Sequence, residues 1–457
     1  MTTSGTKSTM ALLFVGVLMG ALDLAIIGPA LPAIQSEFGL DNRQLSWLFN
    51  IYVLAQLPGT PLLAKMSDRF GRRDVYIGCV TAFAIGSIML VVADNFETLI
   101  IGRGIQGFGA SGIFPVAAAV IGDSFPEEKR GGALGLIGAV FGLAFLIGPV
   151  LGGILLRYAW EWLFLINVPI AIGLIIAAWR LLPSRHAGEP LPFDTPGAIL
   201  LTVLLLGFAF GVTNLDSADI GRSLKSLDVW PYLLVGVVLL PVFWRRERRA
   251  ADPIIRPSFF HSRRMRLILA ISAGVGTVES AQVFLPALAV ASLGVTESVA
   301  AWLMLPAVFI MIIVSPVTGK LVDRIGPARI VQGSLVFVFA GILIFGIAVM
   351  SFVTFIGGGI ITGIGLAALL GAPLRYIILE EARPEDRASA QGLLNIFLAI
   401  GQLTGAAVVG SVATSMGGGT FGYQRSYVVL AGLSALLMGL ALGLKDKAAT
   451  QDDFDAA

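Results

Sequence analysis

The sequence predicts an all-α polytopic membrane protein built from two similar halves, and three observations predict it. Hydrophobic residues make up 56% of the 457-residue chain and charged residues only 13%, whereas a soluble globular chain carries about 25% charged residues. Mean hydropathy is +0.88. Runs of about 20 apolar residues, the length that crosses a bilayer as a helix, follow one another from end to end. Between them a charged, Gly-containing break occurs twice, as Ala64-Lys-Met-Ser-Asp68-Arg69-Phe-Gly71-Arg72-Arg73 and as Gly319-Lys-Leu-Val-Asp323-Arg324-Ile-Gly326-Pro-Ala-Arg329. Each break puts an Asp-Arg-x-Gly turn at a matching distance from the start of its half, the mark of a duplicated unit.

Fourteen apolar runs are candidate spans. The first, Met10–Ile34, is too long for a signal-peptide core, carries Asp23 and leads into further spans, so it reads as a helix of the mature protein. Leu45–Lys65, Val75–Val92, Leu99–Ile121, Gly131–Leu155 and Leu163–Leu182 complete a first half, residues 1–188. Pro196–Thr213 and the short Val229–Phe243 form a linking pair within 189–253. A second half, 254–447, holds Leu267–Ala291, Val299–Leu321, Ile330–Met350, Phe352–Leu374, Ala388–Ala413 and Tyr427–Leu444. Residues 254–260 mix apolar and basic side chains beside a span and read either as an interfacial helix or as a solvated linker. The polar tail, 448–457, is expected to be disordered.

Charge placement orients the chain. Basic residues between alternate spans gather on one side, among them Arg69, Arg72, Arg73, Lys129, Arg130, Arg245, Arg246, Arg248, Arg249, Arg324, Arg329, Arg383 and Arg387. The other side holds Arg43, Arg157, Arg222, Lys225 and Arg425. That bias predicts an even number of spans with both termini cytoplasmic, in the plasma (inner) membrane. The cluster after Val229–Phe243 supports the linking pair, because it needs a cytoplasmic exit there. The single cysteine, Cys79, excludes an intrachain disulfide and leaves the redox compartment open. The sequence holds no Cys/His cluster for a metal, no phosphate-binding Gly-x-x-x-x-Gly-Lys-Ser/Thr loop and no nucleophile–base constellation. An enzyme, an ATP-driven pump, a cofactor and a nucleic-acid partner are therefore not expected; a monomer is.

Ionisable residues inside spans are costly and mark function. Asp23 lies about 13 residues into its span and Glu279 about 13 residues into Leu267–Ala291, both near the midplane. Arg103 lies about five residues from the outer end of its span. Burial penalises the charged form of a carboxyl, so such a group alternates between neutral and ionised as its access alternates. Asp23 and Glu279 are the expected proton-coupling groups, with Arg103 tuning the first half; Glu279 also offers a charge to a cationic substrate. The bland alternatives are a purely structural Asp23–Arg103 pair and a Glu279 that faces water without coupling. Gln106, Asn50, Gln56, Gln402 and Gln282 are polar span residues expected at the substrate cavity, Gln282 sharing a helical face with Glu279. Arg375 reads first as a snorkelling side chain and otherwise as part of an inner vestibule. Gly138-x-x-x-Gly142 followed by Gly148-Pro149-x-x-Gly152-Gly153 is the densest small-residue surface for close helix approach.

These stretches resemble one known family. Asp68-Arg69-Phe-Gly71-Arg72-Arg73 resembles the signature loop of the major facilitator superfamily, and Leu99-Ile-Ile-Gly-Arg103-Gly-Ile-Gln106-Gly107 its fourth-helix motif. Gly138–Gly153 resembles the fifth-helix motif of its antiporters. Leu22-Asp23 with Pro29-Ala30-Leu31-Pro32, and Trp160-Glu-Trp162-Leu-Phe-Leu-Ile-Asn167-Val-Pro169, are similar to segments of the fourteen-helix drug:proton antiporters. The loop departs from the pattern in having Ala64 where Gly is usual, and Glu161 stands where a basic residue is common. The resemblance covers nearly the whole chain. It implies a major facilitator fold of two six-helix bundles plus two linking transmembrane helices, and proton-coupled export of amphipathic or cationic drug-like compounds by alternating access. A lipid or glycolipid exporter of the same fold is the second reading, so the expected partners are a small-molecule or lipid substrate, protons and membrane lipids. A membrane enzyme or non-transporting receptor is remote. The resemblance further implies that Asp68, Arg69, Gly71, Arg72 and Asp123, with Asp323 and Arg324 in the second half, form a conformational latch.

Overall fold

The computed structural model describes residues 3–40, 42–183, 193–215 and 220–446. The tail 448–457 and the side chains of Pro29, Pro32 and Pro149 lie outside the described residues. The first half comprises α1 (Thr3–Phe38), α2 (Asn42–Phe70), α3 (Arg72–Val91), α4 (Phe96–Ser124), α5 (Glu127–Leu155), and the short α6 (Trp162–Leu165) leading into α7 (Asn167–Leu181). The link is α8 (Thr195–Thr213), the one-turn α9 (Ile220–Ser223) and α10 (Trp230–Glu247). In the second half α11 (Arg263–Ser280) passes through a 3-10 turn, Ala281–Phe284, into α12 (Leu285–Leu293). Then follow α13 (Glu297–Leu303), α14 (Leu305–Ile325), α15 (Pro327–Ile347), α16 (Phe352–Gly371), α17 (Pro373–Glu381), α18 (Arg387–Ser415) and α19 (Gly419–Ala441). Pro286, Pro306 and Pro373 open α12, α14 and α17, where the missing N–H costs nothing.

Among the described residues twelve helices are long and apolar enough to cross a membrane. Twelve of the fourteen expected spans meet that measure; α2 and α10 are helical at the expected places and fall short of it. The physical reason is on their surfaces. Helix α2 carries Asn50 and Gln56 toward an internal cavity and ends in Lys65, Asp68 and Arg69, while α10 ends in Arg245, Arg246 and Glu247. Residues 254–260 are neither a surface helix nor a solvated linker: Ile254, Ile255 and Phe259 are buried, and Pro257–Phe260 is a single 3-10 turn.

Two main buried clusters form, one mostly from each half, the first also taking in Val322, Tyr376 and Leu379 of the second half. One cluster centres on Leu13, Tyr76, Phe83, Val116 and Val140, and the other on Ile268, Leu335, Phe345, Ile377 and Tyr427. The second cluster also takes in Leu201 and Leu205 of α8 and Leu57 of α2, so the linking hairpin bridges the two halves. The repeated turns share one backbone: Gly71 has φ 98° and ψ 149°, and Gly326 has φ 91° and ψ 149°, a region open to Gly and strained for other residues. Small residues set the helix spacing. A Cβ at Gly135 of α5 would lie 2.5 Å from the Ser315 carbonyl of α14, and one at Gly138 would lie 2.5 Å from Cα of Gly371. Likewise Gly142 faces Ile312 and Gly148 faces Ala25; Gly152 is buried. Ala64, in the usual Gly position, is fully buried against Ala119 and Ala388, and Gly392 supplies the space its methyl group takes.

A Cβ at Gly109 of α4 would lie 2.5 Å from the backbone N of Phe83 and 2.7 Å from the carbonyl O of Cys79. Gly109→Val therefore overpacks the α3–α4 contact and is expected to cost about 1–3 kcal/mol. A lowered melting temperature of the purified protein checks it; an unchanged one contradicts the close approach.

Candidate functional site

Helices α1, α2, α3 and α4 enclose a polar network. Asp23 and Arg103 are fully buried. Arg103 Nη1 donates to Asp23 Oδ2 at 2.6 Å and to Gln106 Oε1 at 2.6 Å, and its Nε donates to the Leu48 carbonyl at 3.1 Å. Gln106 Nε2 donates to Asp23 Oδ1 at 2.7 Å and to Ser87 Oγ at 2.9 Å. The guanidinium lies 4.1 Å from the centre of the Tyr52 ring. Both Asp23 oxygens are thus satisfied, as a charge in a low-dielectric interior requires.

Two connected cavities lie between the halves. A central one of about 390 Å³ is lined by Tyr52, Gln56, Phe114, Glu279, Asn395, Gln402 and, at its floor, Arg375. A larger one of about 1100 Å³ opens beyond it between α2, α8, α11 and α18. Glu279, Gln402 and Gln56 line both. Glu279 Oε2 accepts from Gln402 Nε2 at 3.0 Å. The two carboxyls thus differ in access: Glu279 faces the cavities, whereas Asp23 lines neither and Tyr52 forms the nearby cavity wall.

The end opposite the larger cavity is closed. Asp68 accepts from the backbone N–H of Ala388 at 3.1 Å and of Ser389 at 2.7 Å, and from the Ser389 hydroxyl at 2.5 Å. A carboxylate at the first turn of α18 is favoured by the helix's positive end. Arg72 pairs with Asp68; its Nε donates to Asp123 at 3.0 Å, and its Nη2 donates to the Pro384 carbonyl at 3.2 Å. Arg387 crosses from the other half to Asp123 at 2.8 Å and to the Gly122 carbonyl at 2.6 Å. The duplicate turn repeats the device: Asp323 accepts from the N–H groups of Gly131 and Gly132, near the start of α5, at 2.8 and 2.9 Å.

Two six-helix halves, a buried Asp–Arg pair and reciprocal Asp-to-helix contacts define the architecture, and comparison with known proteins places it. The Major Facilitator Superfamily pattern matches residues 13–275 and 267–455. The chain belongs to the major facilitator superfamily. It is an integral membrane transporter and not an enzyme. It is 33% identical over 401 residues to the "Uncharacterized MFS-type transporter YfiU" of Bacillus subtilis, covering 86% of this chain and 77% of that protein. It is 31% identical over 431 residues to the "Multidrug transporter protein MdtP" of the same organism, covering 92% and 78%. Its fold is similar to that of human MFSD10, described as an organic anion transporter, with a TM-score of 0.72 at 17% identity and coverage of 95% and 99%.

Within this major facilitator chain the structure brings Asp23 and Arg103 together, and it brings Asp68, Arg72 and Asp123 together with the first turn of α18. Gln106, expected at the cavity, is fully buried in the Asp23 network instead; one helical turn separates it from Arg103, so both reach the same carboxylate. Gln282 lines neither cavity, because α11 ends at Ser280 and the 3-10 turn breaks the face it would share with Glu279. Gln402 takes its place. Asn50 lines the larger cavity. Arg69 pairs with Asp252 of the linking segment, at 3.8 Å, and not with the opposite half; Arg324 is exposed. Arg375 does not snorkel: it is 7% exposed, its guanidinium lies 3.9 Å from the Phe114 ring centre, and its Nη1 donates to Asn395 at 3.1 Å. The break at Ala372–Pro373, which turns α17 relative to α16, is the signal that would have found it. Glu161 has a buried Oε2 without a hydrogen-bond partner among the described residues, and nothing in the structure explains that choice of residue.

Replacing Asp68 with Ala removes three hydrogen bonds that cross between the halves. In a Cys79→Ser background, a cysteine at Asn395 should then react with a water-soluble thiol reagent applied from the latch end at least about five-fold faster, the factor that 1 kcal/mol of lost bonding gives. An unchanged rate contradicts the latch.

Proposed function

We propose that this transporter exports amphipathic or cationic drug-like compounds in exchange for protons, by alternating access of the central cavity. The observation that carries the reading is the unequal access of two intramembrane carboxyls: Glu279 beside the cavity, Asp23 sealed behind Tyr52 and neutralised by Arg103. A carboxyl in such surroundings binds a proton when its counter-charge withdraws and releases it when water returns. Rocking of the 1–188 bundle against the 254–447 bundle, the motion expected of two halves around a midplane site, would change the surroundings of both groups.

In this cycle the latch end is cytoplasmic, as are both termini, and the latch is closed while the larger cavity faces outward. Glu279 holds a cationic group and exchanges it for a proton; Asp23, Arg103 and Gln106 respond to opening on the cytoplasmic side. Arg375 supplies the balancing positive charge at the cavity floor. The latch contacts are numerous but individually modest, so they break and reform each cycle. The multidrug transporter among the relatives supports the cargo class. The apolar lining of the larger cavity also suits an acyl chain, and lipid transfer in liposomes without dye efflux would favour a lipid exporter.

Asp23→Asn tests the coupling. In proteoliposomes with an imposed pH gradient the variant should fold normally and lose gradient-driven efflux to background. Undiminished efflux sinks the proposal.

A further inference from the structure

The linking hairpin does more than join the halves. Helix α8 packs against both α2 and α18, which come from opposite halves, and so lies across the seam between them. At one end the hairpin is fastened by charges: Lys65 of α2 pairs with Asp252, and Arg246 Nη2 donates to Asp194 Oδ1 at 2.6 Å. At the other end α8 forms one wall of the larger cavity. Phe210 projects from that wall and Trp47 from α2, their ring centres 6.1 Å apart. Behind Phe210 stands Tyr232 of α10, 4.5 Å away, which holds the Phe210 ring in place. Phe49, 42% exposed, and Phe284 add two further rings to the same space. The cavity therefore presents a preformed aromatic lining that leads inward to Glu279 and Gln402.

We propose that the larger cavity is a binding subsite for the planar aromatic portion of an amphipathic substrate, with Phe210 of the linking hairpin and Trp47 of α2 as its recognising residues. The inference rests on the cargo class proposed above and adds to it the part of the molecule that the hairpin reads. Aromatic walls supply large contact area at little conformational cost and favour flat rings over flexible chains. A cation on the same substrate reaches Glu279, which lines both cavities, while its ring system packs against the cavity side of the Trp47–Phe210 pair. The subsite lies on the seam that rocking of the halves must reshape, so substrate release and hairpin contact are linked. On this account the hairpin is a specificity element.

The test is equilibrium binding to purified full-length protein in nanodiscs. Ethidium is the planar aromatic cation, and tetramethylammonium is the ringless competitor. Phe210→Ala should weaken ethidium about 3- to 10-fold, the factor one ring contact supplies, and leave tetramethylammonium unchanged; Phe210→Trp should restore ethidium binding. In a Cys79→Ser background reconstituted in sealed proteoliposomes, Phe210→Cys should be labelled by an impermeant maleimide from the face opposite the latch, and ethidium should block that labelling. Ethidium affinity within about two-fold of the unmutated value in a normally folded Phe210→Ala protein overturns the subsite, as does an unlabelled Phe210→Cys protein. If the unmutated protein binds no ethidium, the cationic cargo proposed above is contradicted. The same Phe210 comparison with the neutral planar dye Nile red then decides the subsite by itself.

Discussion

The Asp23–Arg103 pair is the constraint around which the first half is built. Two charges placed in an apolar interior cost several kcal/mol each unless they meet in good geometry and their remaining hydrogen-bonding atoms are satisfied. That demand explains the neighbours. Gln106 closes the carboxylate's second oxygen, Ser87 takes the other amide proton of Gln106, the Leu48 carbonyl accepts from the guanidinium edge, and Tyr52 covers its face, while Arg103 Nη2 has no hydrogen-bond partner among the described residues. Helices α1, α2, α3 and α4 each supply a partner, so the network fixes their mutual positions. A device so dependent on its surroundings is sensitive to any motion that readmits water. That sensitivity is what the proposed proton exchange uses.

The contacts that close the end opposite the larger cavity follow from the same physics. Asp68 is satisfied by the first turn of α18, and Asp323 by backbone N–H groups near the start of α5. The two contacts cross between the halves in opposite senses, each made just before a glycine turn of nearly identical backbone. Glycines on α5 let α14 approach until backbone meets backbone, and Ser315 Oγ donates to the Gly135 carbonyl at 2.8 Å. Closure of this end thus combines charge, helix polarity and close packing. The linking hairpin spans the seam on one flank, where no internal repeat supplies a wall.

Much of this was legible in the sequence. A charge is so costly in a span that Asp23, Glu279 and Arg103 stood out by rarity alone, and the duplicated Asp-Arg-x-Gly turn announced both the two-fold organisation and the residues that now join the halves. What escaped was set by tertiary geometry. One helix cannot tell which neighbours its polar face meets, so the sequence alone points Gln106 to the cavity. A continuous helix would set Gln282 beside Glu279, and the 3-10 turn after Ser280 interrupts it. Sequence position alone leaves Arg375 open between a snorkelling end residue and part of an inner vestibule; the break at Ala372–Pro373 carries it to the cavity floor. Helix α2 is less apolar than the other spans because Asn50 and Gln56 line the cavities and its end carries Lys65, Asp68 and Arg69.

The account turns on one exchange, a proton for a substrate at the cavity carboxyl. It is tested most directly by adding ethidium to the purified, weakly buffered protein near neutral pH and following proton release with a soluble indicator. The account predicts protons released in step with ethidium occupancy, and release abolished in Glu279→Gln. Ethidium binding that saturates without any proton release would contradict it.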